Sequence, residues 1–175
     1  MSKLERLLII DFGSQFTQLI ARRLRELGVF SEIIPFQKVD DKNLKEYNPK
    51  AVILSGGPAS VLEKNSPRTP LNLFDMDIPV LGICYGLQVI VKLLGGQVER
   101  GKGTAEFGRA FLKKSKIQTD LINGMFSGNS EQVWMSHGDH VSEIPSSFQV
   151  FASTDSTPFA IIGDKKKKIY GVQFH

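Results

Sequence analysis

The first apolar run of the chain, RLLIID at 6–11, stops at Asp-Phe-Gly, as a strand buried on both faces of a parallel sheet does. In SQFTQLIARRLRELG the apolar positions Phe16, Leu19, Ile20, Leu24 and Leu27 fall on one face of a helix, with Ser14 placed to cap its start and Gly28 to close its end. VFSEIIPF then reads as a second strand, and DDKNLKEY as a short polar helix ending before Pro49. AVILSGGP at 51–58 is a third strand that breaks into a glycine turn, and residues 59–70 read as loop. IPVLGICYG at 78–86 is a fourth strand, followed by the apolar helix LQVIVKLLGG. Alternation of this kind predicts an α/β fold, a mostly parallel flavodoxin-like sheet with helices on both faces.

Beyond Gly96 the pattern changes. QVERG, FGRAFLKK, EQVWMSH, FQVFAST, PFAIIGD and KIYGVQFH are short strand-like runs joined by turns. They predict a β-rich, partly antiparallel C-terminal half that returns a last strand to the main sheet. No interdomain linker or internal repeat interrupts the chain, so residues 1–175 read as one domain.

Composition adds little to this picture and excludes some functions. Hydrophobic residues make up 41% of the chain and charged residues 23%, values ordinary for a globular protein. The net charge of +4 equals the charge of Lys165 to Lys168, a run between two apolar stretches that is most simply a solvated hairpin tip. The rest of the chain is neutral, which argues against nucleic-acid binding. Cys84 is the one cysteine, so no internal disulfide is possible and a reducing compartment is the natural home. The apolar run before Asp11 is too short for a signal peptide and nothing later approaches a membrane span, so a cytoplasmic location is expected.

Three stretches can carry chemistry. In G-I-C-Y-G, Gly82 and Gly86 flank Cys84 at a strand-to-helix turn, the cysteine counterpart of the G-x-S-x-G nucleophile elbow. There the helix N-terminus favours thiolate, and the N–H of Tyr85 is placed to donate to an oxyanion. A free cysteine is as often a small buried hydrophobe, and on this pattern alone the two readings are level. LSGGPAS offers consecutive backbone N–H groups after a strand, an anion or oxyanion cradle, with a plain turn as the alternative. A phosphate-binding P-loop is disfavoured because no Gly-Lys-Ser/Thr follows. A base for a nucleophilic cysteine must be His137, His140 or His175. Spacing does not choose among them, although IYGVQFH delivers His175 at a strand end, where sites on parallel sheets lie. The three histidines lack a metal-binding spacing, so no metal is expected.

ILSGGP, GICYGLQ, WMSHGD and GVQFH, in this order, resemble the class I (triad) glutamine amidotransferases, and the similarity spans essentially the whole chain. The opening DFGSQFTQLIARRLRELGV looks like the glutaminase portion of the GMP synthase branch of that family. The resemblance implies glutamine hydrolysis, with Cys84 as nucleophile and His175 as catalytic base and acid. It implies Gly57 and Tyr85 as oxyanion donors, and Gln88, Ser136 and His137 at glutamine-holding positions. It also implies an ATP-pyrophosphatase or synthetase partner domain that takes the ammonia to aminate XMP; ATP and magnesium belong to that partner, and no cofactor is expected here. The family pattern continues His-Pro-Glu, whose glutamate orients the histidine, whereas the sequence stops at His175. On that reading the domain ends short of its third triad member. The alternatives are another cysteine hydrolase of the same architecture acting on a γ-glutamyl amide, and a non-catalytic flavodoxin-like module using Asp11.

Overall fold

A computed structural model describes residues 5–101 and 105–175. Five strands form the parallel part of the main sheet: β1 (Leu7–Asp11), β2 (Ser31–Pro35), β3 (Ala51–Leu54), β4 (Val80–Ile83) and, from the far end of the chain, β11 (Ile169–Val172). β10 (Ile161–Asp164), β9 (Gln149–Ser153), β6 (Glu106–Lys114) and β7 (Ser130–His137) extend that sheet in antiparallel pairing. The resulting nine-stranded order is β2-β1-β3-β4-β11-β10-β9-β6-β7. A separate ribbon pairs β5 (Gln97–Arg100) with β8 (Asp139–Glu143).

Alternate residues of β1 serve opposite faces. Leu8 and Ile10 pack with Leu44 of α2 (Asp41–Tyr47) and with α3 (Tyr85–Leu93), whereas Ile9 packs with Ala21 of α1 (Thr17–Glu26). All three β1 side chains are buried, as both covered faces of a parallel sheet require. The doubly covered half and the returning last strand match the architecture expected from the hydrophobic pattern. The lysine run is a solvated tip: Lys165 to Lys168 are exposed between β10 and β11, and the Asp164 carboxylate accepts the N–H groups of Lys166 and Lys167.

One local expectation differs. Ser14 does not cap α1; its hydroxyl accepts the Phe16 N–H within the preceding turn, and the helix begins at Thr17 without a side-chain cap on its N-cap residue. Asp11 anchors this entry instead, because its carboxylate accepts both the Gly13 N–H and the Thr17 hydroxyl. Residues 59–70 are irregular as expected, but a 3-10 turn follows at Leu71–Asp75 and buries Leu73 and Phe74. Among the described residues no helix is long and apolar enough to cross a membrane.

Candidate active site

The carboxyl ends of β3, β4 and β11 lie side by side, and each delivers one of the stretches singled out above. At the end of β4 the backbone of Cys84 takes φ 52° and ψ −104°, a conformation that side-chain-bearing residues rarely adopt. The turn is held from both directions: Cys84 N–H donates to Val172 of β11, and Cys84 C=O accepts from Gln88 in the first turn of α3. Its two glycines are required by contact. A Cβ on Gly82 would sit 2.6 Å from backbone atoms of Gly86, and one on Gly86 would sit 2.3 Å from the Leu54 carbonyl oxygen of β3. Strand, helix and neighbouring strand therefore approach closely only because those side chains are missing.

The glycine turn after β3 is fastened by its serine. Ser55 is fully buried; its hydroxyl accepts the Phe12 N–H and donates to Gly56 C=O. Gly56 lies between the side chains of Cys84 and His175, since a Cβ there would be 3.2 Å from His175 Cε1 and 3.8 Å from Cys84 Cβ. Gly57 is crowded against Phe12, whose carbonyl oxygen would be 2.4 Å from an added Cβ. The Tyr85 side chain is structural, packing edge-on against Phe12 and donating its hydroxyl to Pro67 C=O. What Tyr85 presents to the thiol is its backbone N–H.

His175 follows β11, its N–H bonded to Trp134 C=O and its ring against Phe16. It also borders an apolar hollow of about 620 Å³ whose walls include Phe16, Leu19, Leu27 and Trp134. His140 lies on β8, paired with Glu99 of β5. His137 lines the cavity but turns its ring away: Nδ1 bonds Asp139 C=O at 2.9 Å, and Nε2 lies 3.5 Å from the Glu106 carboxylate. Of the three histidines, His175 is the one packed with Cys84 against Gly56.

A cavity of about 420 Å³ opens over Cys84, a size suited to a small ligand. It is lined by Gly57, Ser60, Cys84, Tyr85, Gln88, Ser136 to Asp139 and Phe107. Six of the seven expected site residues, Gly57, Cys84, Tyr85, Gln88, Ser136 and His137, share this cavity, and His175 stands behind Gly56 at its edge. The thiol itself donates toward Ser136 C=O at 3.6 Å and accepts from Gln173 Nε2 at 3.6 Å. Gln88 links this pair to the cavity wall, its Nε2 reaching Gln173 Oε1 at 3.4 Å and Asp139 C=O at 3.1 Å. Gln173, Glu106 and Asp139 escape the sequence reading. Of these Gln173 carries a signal, a lone polar residue between the buried or half-buried Val172 and Phe174 of an apolar run, and Asp139 closes the WMSHGD stretch.

The electrostatics differ from the thiolate expected of a helix N-terminus. Burial pushes the Cys84 thiol up to about 11, against the opposing pull of the Tyr85 N–H and Gln173. Burial, with the neighbouring His137 as a second cause, lowers the His175 imidazole below its ordinary value of 6.5. The cleft thus holds a neutral thiol beside a neutral imidazole. Such a pair acts by proton transfer during attack, and a preformed ion pair is not needed.

The sequence matches the family model of glutamine amidotransferase class-I over residues 8–175. It is 59% identical to the GMP synthase [glutamine-hydrolyzing] of Dinoroseobacter shibae over 98% of this chain and 33% of that protein. Against the protein of the same name from Cereibacter sphaeroides it is 57% identical over the whole chain and 34% of the relative. The chain therefore spans about a third of the length of these curated relatives. A putative GMP synthase subunit from Thermoplasma acidophilum superposes with a TM-score of 0.77 at 26% identity, covering 100% of this chain and 85% of that one. A glutamine amidotransferase from Thermotoga maritima shares the fold, with a TM-score of 0.75 at 24% identity over 99% of this chain and 76% of its own. With a cysteine elbow, a glycine cradle and a strand-end histidine at one cleft, and a family match over nearly its full length, the chain belongs to the class-I glutamine amidotransferases.

Proposed function

We propose that residues 1–175 form the glutaminase unit of a GMP synthase-type enzyme, hydrolysing L-glutamine at Cys84 and passing the ammonia to a synthetase domain that aminates XMP to GMP. The family match and the two relatives named GMP synthase [glutamine-hydrolyzing] support the reaction class, and the cytoplasm is its expected setting. The relatives are about three times as long as this chain, and on the family resemblance ATP and magnesium would serve the synthetase step in the remaining length. The observation that carries the reading is Cys84, held at φ 52° on the elbow with the Tyr85 N–H at its sulfur.

In the proposed mechanism, His175 removes the thiol proton as Sγ attacks the side-chain amide carbon. The oxygen that becomes negative is stabilised by the N–H groups of Tyr85 and Gly57. The imidazolium then protonates the amide nitrogen, which leaves as ammonia as the C–N bond breaks and the glutamyl thioester remains. Water attacks that thioester while His175 takes its proton. The proton passes to the departing sulfur, which restores the thiol and releases glutamate. Gln88 and the Ser136–His137 backbone hold the substrate. Cys84→Ala should abolish ammonia release while glutamine binding stays measurable by calorimetry; hydrolysis at the wild-type rate would refute the assignment. A comparison of glutamine with γ-glutamyl peptides separates this reading from that of a γ-glutamyl hydrolase.

A further inference from the structure

We propose that the Gln173 side-chain amide is a catalytic donor: its Nε2 hydrogen-bonds the Cys84 sulfur and stabilises the negative charge that the sulfur carries when it attacks and when it leaves. The inference rests on the glutaminase reading above and adds a residue to its machinery.

Gln173 is a polar side chain in an apolar setting, 1% exposed between Val172 and Phe174. Its main chain is locked to the elbow. Cys84 N–H donates to the C=O of Val172, the preceding residue, and Gln173 N–H donates to Ala160 C=O at 2.9 Å. A buried amide is costly unless both of its polar atoms find partners, so the way it faces is not free. Three groups in succession fix that direction. The Asp139 carbonyl oxygen can only accept, so Gln88, 3.1 Å away, turns its NH2 group toward it. The same NH2 group lies 3.4 Å from Gln173, which must present its oxygen there. The NH2 group of Gln173 therefore faces Cys84 Sγ, at 3.6 Å. A fixed carbonyl at the far end of the relay thus aims a donor at the sulfur.

The chemistry of the sulfur gives that donor its role. The neutral thiol uses both of its neighbours, donating toward Ser136 C=O at 3.6 Å and accepting from Gln173. Once the proton leaves, the Ser136 carbonyl has nothing to accept, whereas the Gln173 N–H bonds a thiolate more strongly than a thiol. The Tyr85 N–H also reaches the sulfur, but the proposed mechanism turns it to the substrate oxygen. Gln173 is then the side-chain donor left on the sulfur among the described residues. When the thioester C–S bond breaks, the electron pair returns to Sγ, and the same N–H holds that charge until the proton arrives from His175. Gln173 stands outside the lining of the cavity, so it acts on the sulfur and not on the substrate.

Gln173→Met and Gln173→Glu, made in the protein at its natural length, test this. Methionine keeps the reach of the side chain and removes the donor. Glutamate keeps the shape and the acceptor for Gln88, and carries the test where methionine does not fold. In Gln173→Met, glutaminase kcat should fall by about 10- to 100-fold while KM for L-glutamine stays within about threefold of wild type. Gln173→Glu should keep KM as well and lose kcat as pH rises, because a neutral carboxyl still donates an O–H and a carboxylate does not. Alkylation of Cys84 by iodoacetamide, followed against pH, reads the same donor without substrate, and its midpoint should move up by about one pH unit in Gln173→Met. A kcat within about twofold of wild type in the variants, a loss that lies wholly in KM, or an unmoved alkylation profile overturns the proposal and leaves Gln173 as a buried spacer. A wild-type protein that hydrolyses no glutamine, whatever its alkylation profile, defeats the glutaminase reading instead.

Discussion

Cys84 combines a strained backbone with a buried, neutral sulfur, and each property has its own consequence. The strain projects the thiol over the cavity, away from the packing of β4. The burial links its titration to stability. A free thiol titrates at 9.0, whereas in the folded protein the value is about 11, so between these values the unfolded chain has lost a proton that the folded one keeps. The contribution is fully present below 9.0 and is lost as pH rises toward 11, roughly 3 kcal/mol in all. Urea midpoints should therefore fall over that window more steeply in wild type than in Cys84→Ala; identical slopes would contradict the buried thiol. His175 works in the opposite direction. In the proposed mechanism neutral imidazole is the active form, and its depressed value keeps it neutral to below 6.5, so the acid limb of kcat/KM should lie on the acid side of that figure. A limb above 6.5 would mean that a charged partner, not burial, dominates at His175.

At the scale of elements, the elbow depends on close approach of three backbones, and the G-x-C-x-G spacing made it legible before any geometry was known. Gly86→Ala pushes a methyl group into the Leu54 carbonyl of β3, which lies 2.3 Å from the added atom, and a buried strand cannot move away. The expected loss is about 3 kcal/mol, with a lower thermal midpoint and loss of glutaminase activity; an unchanged midpoint would show that α3 can shift. The start of α1 was less legible. Ser14 is a good cap by residue type, yet Asp11 on the preceding strand reaches Thr17 first, and spacing rules for caps do not see a carboxylate six residues upstream. The same limit hid Gln173 and Asp139. Their contacts with Cys84 and Ser60 span 89 and 79 residues, distances at which no local pattern records a partner. Glu106 is a similar case, an acid on β6 that meets His137 only because β6 and β7 pair.

For the whole molecule, the alternating first half and the β-rich second half were both visible in the hydrophobic period, because strands buried on two faces and amphipathic helices leave strong traces. How the halves join was visible only in part. The return of β11 beside β4 brings His175 to Cys84 and continues the sheet into its antiparallel part. Of the side ribbon, β5 was legible in QVERG, whereas β8, which carries Asp139 to the cavity, left no such trace. Charge adds little at this scale. Lys165 to Lys168 lie on an exposed turn away from the cavity, so replacing all four with glutamine should leave glutaminase activity and its salt dependence within error of wild type. A drop in activity would assign the run to a docking surface.

The central claim is that Cys84 is the nucleophile of a glutamine-hydrolysing site. A diazoketone analogue of glutamine, incubated with the protein and followed by peptide mass spectrometry, tests it most directly. The account predicts one covalent adduct, on the peptide containing Cys84, that glutamine in excess prevents and Cys84→Ala abolishes. An unmodified Cys84, or an adduct that glutamine does not protect against, would contradict it.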